Sequence, residues 1–107
     1  MKPANLSRGR GIYLIQDIGD LSVDDTSVVS RYIQNPLLIN GHKFDLRIYV
    51  AVTSFDPLRV YVYKEGLARF ASEQYSNKID KDNKYQHLTN YSVNKKNDNF
   101  VQNQTLE

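Results

Sequence analysis

The stretch that most constrains the fold runs from Lys43 to Lys64, "KFDLRIYVAVTSFDPLRVYVYK", two β-branched and aromatic runs around an SFDP turn. Val, Ile, Tyr and Phe suit the pleated, half-buried surface of a sheet, and Asp-Pro between two such runs marks a turn. The pattern predicts a long strand over 43–53 with a hairpin partner over 58–64. Side chains alternate faces along a strand. Phe44, Leu46, Ile48, Val50 and Val52 therefore share one face, which is uniformly apolar and is expected to meet a core. Lys43, Asp45 and Arg47 share the other, spaced about 6.6 Å apart. Three charges in a row on one strand face need a partner or a solvent boundary.

The rest of the chain reads as short elements. "GIYLIQ" at 11–16 predicts a strand, preceded by the glycine-containing loop "NLSRGRG". Residues 17–27 are acidic and polar, a surface connection. "VVSRYI" at 28–33 predicts a second strand, ended by Asn35-Pro36. "LLI" follows, then a turn at Asn40-Gly41. Glu65-Gly66 predicts another turn, with "LARFA" as a further short strand. Residues 76–86 read as a charged loop, and 94–107, rich in Asn, Gln and Lys, as disordered in isolation. No segment of ten or more residues carries a 3.6-residue apolar period.

Composition sets bounds. The 107 residues allow at most one small domain. A formal charge of +2 gives no argument for a nucleic-acid partner, and "RVYVYK", which interleaves Arg and Tyr, lacks the glycine–aromatic pattern of an RNA-binding sheet. There is no cysteine, so no disulfide framework and no thiolate metal site. No apolar run reaches the roughly 20 residues that span a bilayer, and "MKPANLSRGRG" is not a signal peptide.

The charged row has two readings. A solvated strand face with a surface ion pair explains it, at little gain in stability. A nucleotide site also explains it: a lysine can meet phosphate or base, an aspartate can accept from ribose hydroxyls, and an arginine can clamp phosphate oxygens. Arg69, beyond the hairpin, could reach the same face. Gly9 and Gly11 in "LSRGRG" allow backbone N–H groups close to a phosphate, although the loop is neither a Rossmann fingerprint nor a Walker A motif. Lys2 reads by itself as an exposed terminal lysine. In "HLTNYS", His87, Thr89, Asn90 and Ser92 carry hydrogen-bonding groups, and a capped turn accounts for them without any chemistry. No Ser-His-Asp arrangement or metal-ligand spacing occurs.

Taken together, "KP", "SRGRGI", "RYIQNPLLINGHKFDLRIYVAVTSFDPLRVYVYKEGLARFA" and "HLTNYSVNK" resemble the tubulin tyrosine ligase-like family over nearly all of residues 2–100, most closely its polyglutamylase branch. The resemblance implies an α+β, ATP-grasp fold, of which this chain would be a partial domain, mostly antiparallel β. It implies an ATP-dependent ligase that activates a glutamate side chain in a tubulin tail as an acyl phosphate and joins free glutamate to it through an isopeptide bond. It also implies ATP and Mg2+ as cofactors, tubulin C-terminal tails and microtubules as partners, no nucleic acid or membrane, and a cytoplasmic, cytoskeletal setting that includes the cilium or basal body.

Carried over by residue, the resemblance places Lys2 near the ATP phosphates and Arg8, Gly9, Gly11 and Ile12 in the loop over them. Arg31, Tyr32 and Ile33 fall in the adenine-contacting segment, and Lys43 and Asp45 at the adenine–ribose end. Arg47 and Arg69 match the catalytic arginines aimed at the γ-phosphate and the acyl phosphate, and His87, Thr89 and Asn90 a phosphate-proximal motif. Two departures stand out. Ser30 occupies a position that is usually glutamine in the family. The family's metal ligands, an aspartate and a Glu-x-Asn pair, have no match here, so the magnesium ligands are expected outside this chain and the isolated chain is expected to be inactive. A non-catalytic nucleotide- or tubulin-binding remnant of the family is the alternative.

Overall fold

In the computed structural model, residues 1–21, 26–78, 80 and 82–102 are described. The acidic stretch at 22–25, two positions of the 76–86 loop and the last five residues of the polar tail lie outside them. The architecture is antiparallel throughout. Strands β1 (Lys2–Pro3) and β2 (Ser27–Val28) form a two-stranded sheet; β3 (Leu38–Ile39), β4 (His42–Phe55) and β5 (Leu58–Phe70) form a three-stranded one in that order. Among the described residues, two 3-10 turns, Ile18–Asp20 and Lys84–Gln86, and a single helical turn α1 (Tyr91–Asn94) complete the elements.

The β4–β5 hairpin follows the sequence pattern and extends it. β3 and β4 join through the Asn40–Gly41 turn, β4 and β5 through Asp56-Pro57. The Glu65-Gly66 turn expected from sequence does not form. β5 runs through it, with Ile48 paired to Gly66 and Val50 to Val62, so that three residues of β5 oppose Tyr49 alone. A bulge absorbs the turn signal. Glycine is required there because a Cβ on Gly66 would lie 2.8 Å from the Arg47 carbonyl oxygen.

The two other predicted strands fail for a shared reason. Tyr13 exchanges backbone bonds with Met1, and the "GIYLIQ" pairing goes no further. Of "VVSRYI", only Val28 is in a strand, paired with Lys2. Both segments meet the N-terminal residues 1–3, where Pro3 has no N–H to extend a ladder. Val29 and Ile33 are left exposed.

The apolar face of β4 also differs from expectation. Leu46, Ile48 and Val50 are 62%, 56% and 54% exposed, because no described element lies over them. Packing concentrates instead at the base of the hairpin, where Phe44 meets Phe70 at 5.7 Å between ring centroids. Ala71 and Val93 are buried there, and so are three polar residues, His87, Thr89 and Asn94.

Asn94 ties the C-terminal turn to the sheet. Its Oδ1 accepts from the Ser72 backbone N–H (2.8 Å) and from the Ser72 hydroxyl (2.7 Å), and its Nδ2 donates to the carbonyls of Leu88 (2.7 Å) and Asn90 (3.0 Å). Asn97 donates to Ser72 and Glu73, and Phe100 packs edge-on against Tyr91. These bonds fix the 87–90 segment against the end of β5.

Candidate functional site

Asp45 and Arg69 are direct cross-strand partners. The Arg69 guanidinium donates from Nε to Asp45 Oδ1 at 2.7 Å and from Nη2 to Oδ2 at 2.5 Å, a bidentate fork. That fork is the main cause holding the Asp45 carboxyl below the usual carboxylate range, with the Thr89 hydroxyl adding to it; the same contact raises the arginine. Both partners are partly exposed, so the pair contributes little to stability in itself. Its effect is orientation. Arg69 spends two of its five N–H groups on Asp45 and presents the other three. Arg47 lies two residues along the same face and is exposed.

A second chain of contacts begins at Lys43. Its Nζ donates to the Tyr32 hydroxyl at 3.3 Å and stands 4.6 Å from the centroid of that ring. The Tyr32 hydroxyl lies 2.9 Å from His87 Nδ1, and the Tyr75 ring packs edge-on against the imidazole at 5.6 Å. The Tyr75 hydroxyl is fixed on the Gln34 carbonyl at 2.6 Å. Burial pushes the Tyr32 phenol up, with Tyr75 adding to the shift, and draws Lys43 down against the opposing pull of Asp45. Burial and then the Lys43 charge lower His87, while Asp80 opposes them.

The glycine loop meets the other side of the 87–94 segment. Gly9 has φ +74°, and a Cβ there would come 2.7 Å from Val93 Cγ2 and 3.3 Å from Asn90 Cβ. Only glycine allows both the left-handed backbone and this approach. The Ser92 hydroxyl donates to the Arg8 carbonyl. Arg8, Gly9 and Asn90 are thus brought together. Gly11 packs on Pro3 and Leu6, and Ile12 lines a small cleft that His87 and Leu88 also wall. Lys2, Arg31 and Ile33 are exposed. A larger cleft of about 450 Å3 opens at the base of the sheet, with Arg69 and Thr89 in its wall beside His42, Phe70 and Tyr91.

Of the residues singled out from sequence, the structure brings Tyr32, Lys43, Asp45, Arg69, His87 and Thr89 into linked contacts. Sequence reasoning passes over Tyr75 and Asn94. Asn94 gives no signal, because it opens an Asn- and Lys-rich run that reads as a solvated tail.

The residues fit a nucleotide's phosphates: Lys43, Arg47 and Arg69 lie along one face, and Arg69 has donors to spare. They do not fit a magnesium ion. Among the described residues, no three His, Cys, Asp or Glu side chains are grouped to hold a metal.

Residues 1–107 match the profile of the tubulin-tyrosine ligase family. The chain belongs to that family. Among its relatives, human "Tubulin polyglutamylase TTLL5" is 54% identical over 102 residues, covering 94% of this chain and 8% of that protein. "Tubulin polyglutamylase ttll-5" of Caenorhabditis elegans is 50% identical over 108 residues, covering 99% of this chain and 15% of the relative. "Probable beta-tubulin polyglutamylase" of Tetrahymena thermophila is 47% identical over 110 residues, covering all of this chain and 9% of the relative. The chain therefore spans a small part of the length of the tubulin-tyrosine ligase family members it matches. Among the described residues, no helix is long and apolar enough to cross a membrane.

Proposed function

We propose that this chain forms the nucleotide-facing part of an ATP-dependent ligase that adds free glutamate to glutamate side chains in tubulin C-terminal tails, within an ATP-grasp domain. The observation that carries the reading is the convergence on one sheet face of Lys43, Asp45, Arg47 and Arg69 with Thr89 from the 87–90 segment. Relatives named tubulin polyglutamylases support the substrate assignment.

ATP supplies, when bound, the phosphoryl group that activates the acceptor carboxylate. Phosphoryl transfer depends mainly on positioning and on neutralising charge. Arg47 and Arg69 neutralise the transferring group and the oxygens it joins. Asp45 keeps the Arg69 fork aimed, and retains lone pairs beyond the two it gives to Arg69. Lys43, held by Tyr32, presents its ammonium to the nucleotide. Arg8 and Gly9 cover the phosphates with backbone N–H groups, and Lys2, Gly11 and Ile12 complete that loop. Arg31, Tyr32 and Ile33 line the adenine, and Thr89 and Asn90 adjoin the phosphates. Magnesium comes to the site on residues other than those described. Microtubules, in the cytoplasm and in cilia or basal bodies, are the setting.

The test is incubation of the full-length protein with ATP, glutamate and microtubules, followed by mass spectrometry of the tubulin tails. Time-dependent glutamate additions that require ATP are expected. Additions that proceed without ATP, or none under any condition, would overturn the proposal.

A further inference from the structure

The geometry points to His87 as the positioning residue for Lys43, acting through the Tyr32 hydroxyl. This rests on the nucleotide reading above and goes beyond it, because the family resemblance places His87 beside the phosphates rather than behind Lys43.

The contacts run in one line. An ammonium can only donate. Lys43 Nζ therefore gives a proton to the Tyr32 oxygen at 3.3 Å, and the Tyr32 hydroxyl shares a hydrogen bond with His87 Nδ1 at 2.9 Å, as donor or acceptor according to the tautomer of the ring. A doubly protonated ring would add a second cation to the row. Burial and the Lys43 charge both oppose that form.

His87 is 2% exposed, yet Nε2 has no hydrogen-bond partner among the described residues. Buried polar atoms are seldom left so. The ring is held by packing, edge-on to both Tyr32 and Tyr75, and its side-chain hydrogen bond is the one at Nδ1 to Tyr32. Lys43 in turn is fixed twice by one side chain, through the Tyr32 hydroxyl and over its ring face. A lysine carries much rotamer freedom, and this row removes it before a ligand arrives.

The experiment measures KM for ATP and KM for glutamate separately in the full-length protein. Tyr32→Phe and His87→Leu should each raise KM for ATP roughly tenfold, the loss of a hydrogen bond to a charged group, and leave KM for glutamate unchanged. The double variant should be no worse than either single one, because both break the same row. His87→Asn, whose side-chain oxygen stands near the place of Nδ1, should restore the ATP value; His87→Gln, whose amide reaches toward Nε2, should not. If His87→Leu fails to fold, Tyr32→Phe with His87→Asn still decides the matter. Lys43→Ala is the control for the site. If it raises KM for ATP while Tyr32→Phe does not, the positioning role is overturned and the nucleotide reading stands. If Lys43→Ala leaves KM for ATP unchanged, the nucleotide reading fails and the inference with it. A readout independent of nucleotide is the ring 15N shift of His87 Nδ1, which should move in Tyr32→Phe; an unchanged shift overturns the contact.

Discussion

Replacing Asn94 by alanine should be among the most damaging substitutions in this chain, although Asn94 opens what reads as a polar tail. The side chain is fully buried and makes four hydrogen bonds. Their loss is unequal. The Asn90 carbonyl also accepts from the backbone N–H groups of Val93 and Asn94, and so keeps partners. The Ser72 hydroxyl can rotate and still accepts from Asn97. The Ser72 N–H and the Leu88 carbonyl lose the bond that satisfies them. Stranding a buried donor or acceptor costs about 1–3 kcal/mol each, so the two together come to roughly 2–6 kcal/mol before any cavity term. That is a large share of the ~5–15 kcal/mol stability of an ordinary domain. Asn94→Asp is the sharper comparison: it keeps the acceptor for Ser72 but turns a carboxylate toward two carbonyls, and should cost at least as much. Urea unfolding of the purified protein, read at constant slope, measures both. A cost below about 1 kcal/mol for Asn94→Ala would show that the turn is not held as described.

Two further outcomes follow from burial and charge. Ile48→Ala in the 107-residue chain should cost less than about 1 kcal/mol, against the 2–5 kcal/mol of a well-packed site, because Ile48 is more than half exposed; a cost of several kcal/mol, read from the urea midpoint, would mean that the apolar face is covered. Stability should fall as the pH drops from about 7 to 5. His87 is lowered in the fold by burial and by Lys43, against Asp80, and lies between the uncharged Tyr32 hydroxyl and the Tyr75 ring. The unfolded chain therefore takes up the proton first, so the contribution is complete above about pH 6.5 and lost below it, at no more than about 1.4 kcal/mol per pH unit. Asp45 is already lowered and acts only in stronger acid. Urea midpoints at the two pH values should differ less for His87→Asn than for the parent, and equal differences would refute the assignment.

The hairpin was legible because its signal is local. Alternation over 43–53, an Asp-Pro turn and a β-branched return strand need no knowledge of the rest of the chain, and the register places Asp45 opposite Arg69 as the shared face suggested. The short strands were misread because pairing is a property of two segments. "GIYLIQ" and "VVSRYI" have strand composition, but both meet residues 1–3, where Pro3 has no N–H to extend a ladder. Glu65-Gly66 reads as a turn in isolation, yet the glycine serves a close approach to the Arg47 carbonyl. At the candidate site, residue types were readable and contacts were not. Nothing in the sequence says that Tyr32, 55 residues before His87, would share a hydrogen bond with it, or that Asp45 would spend both oxygens on Arg69.

The most direct measurement of the central claim is ATP-dependent glutamate addition to tubulin tails by the full-length protein and by its Arg47→Ala variant, followed by mass spectrometry. Arg47 is exposed on the charged face, so its removal should leave the fold and the melting temperature unchanged. If that face holds the transferring phosphoryl group, the variant should lose about 10²–10³ in rate, the usual effect of deleting one electrostatic contact to a transition state. Near-parental glutamate addition by a folded Arg47→Ala protein would mean that Lys43, Asp45 and Arg47 face solvent rather than ATP.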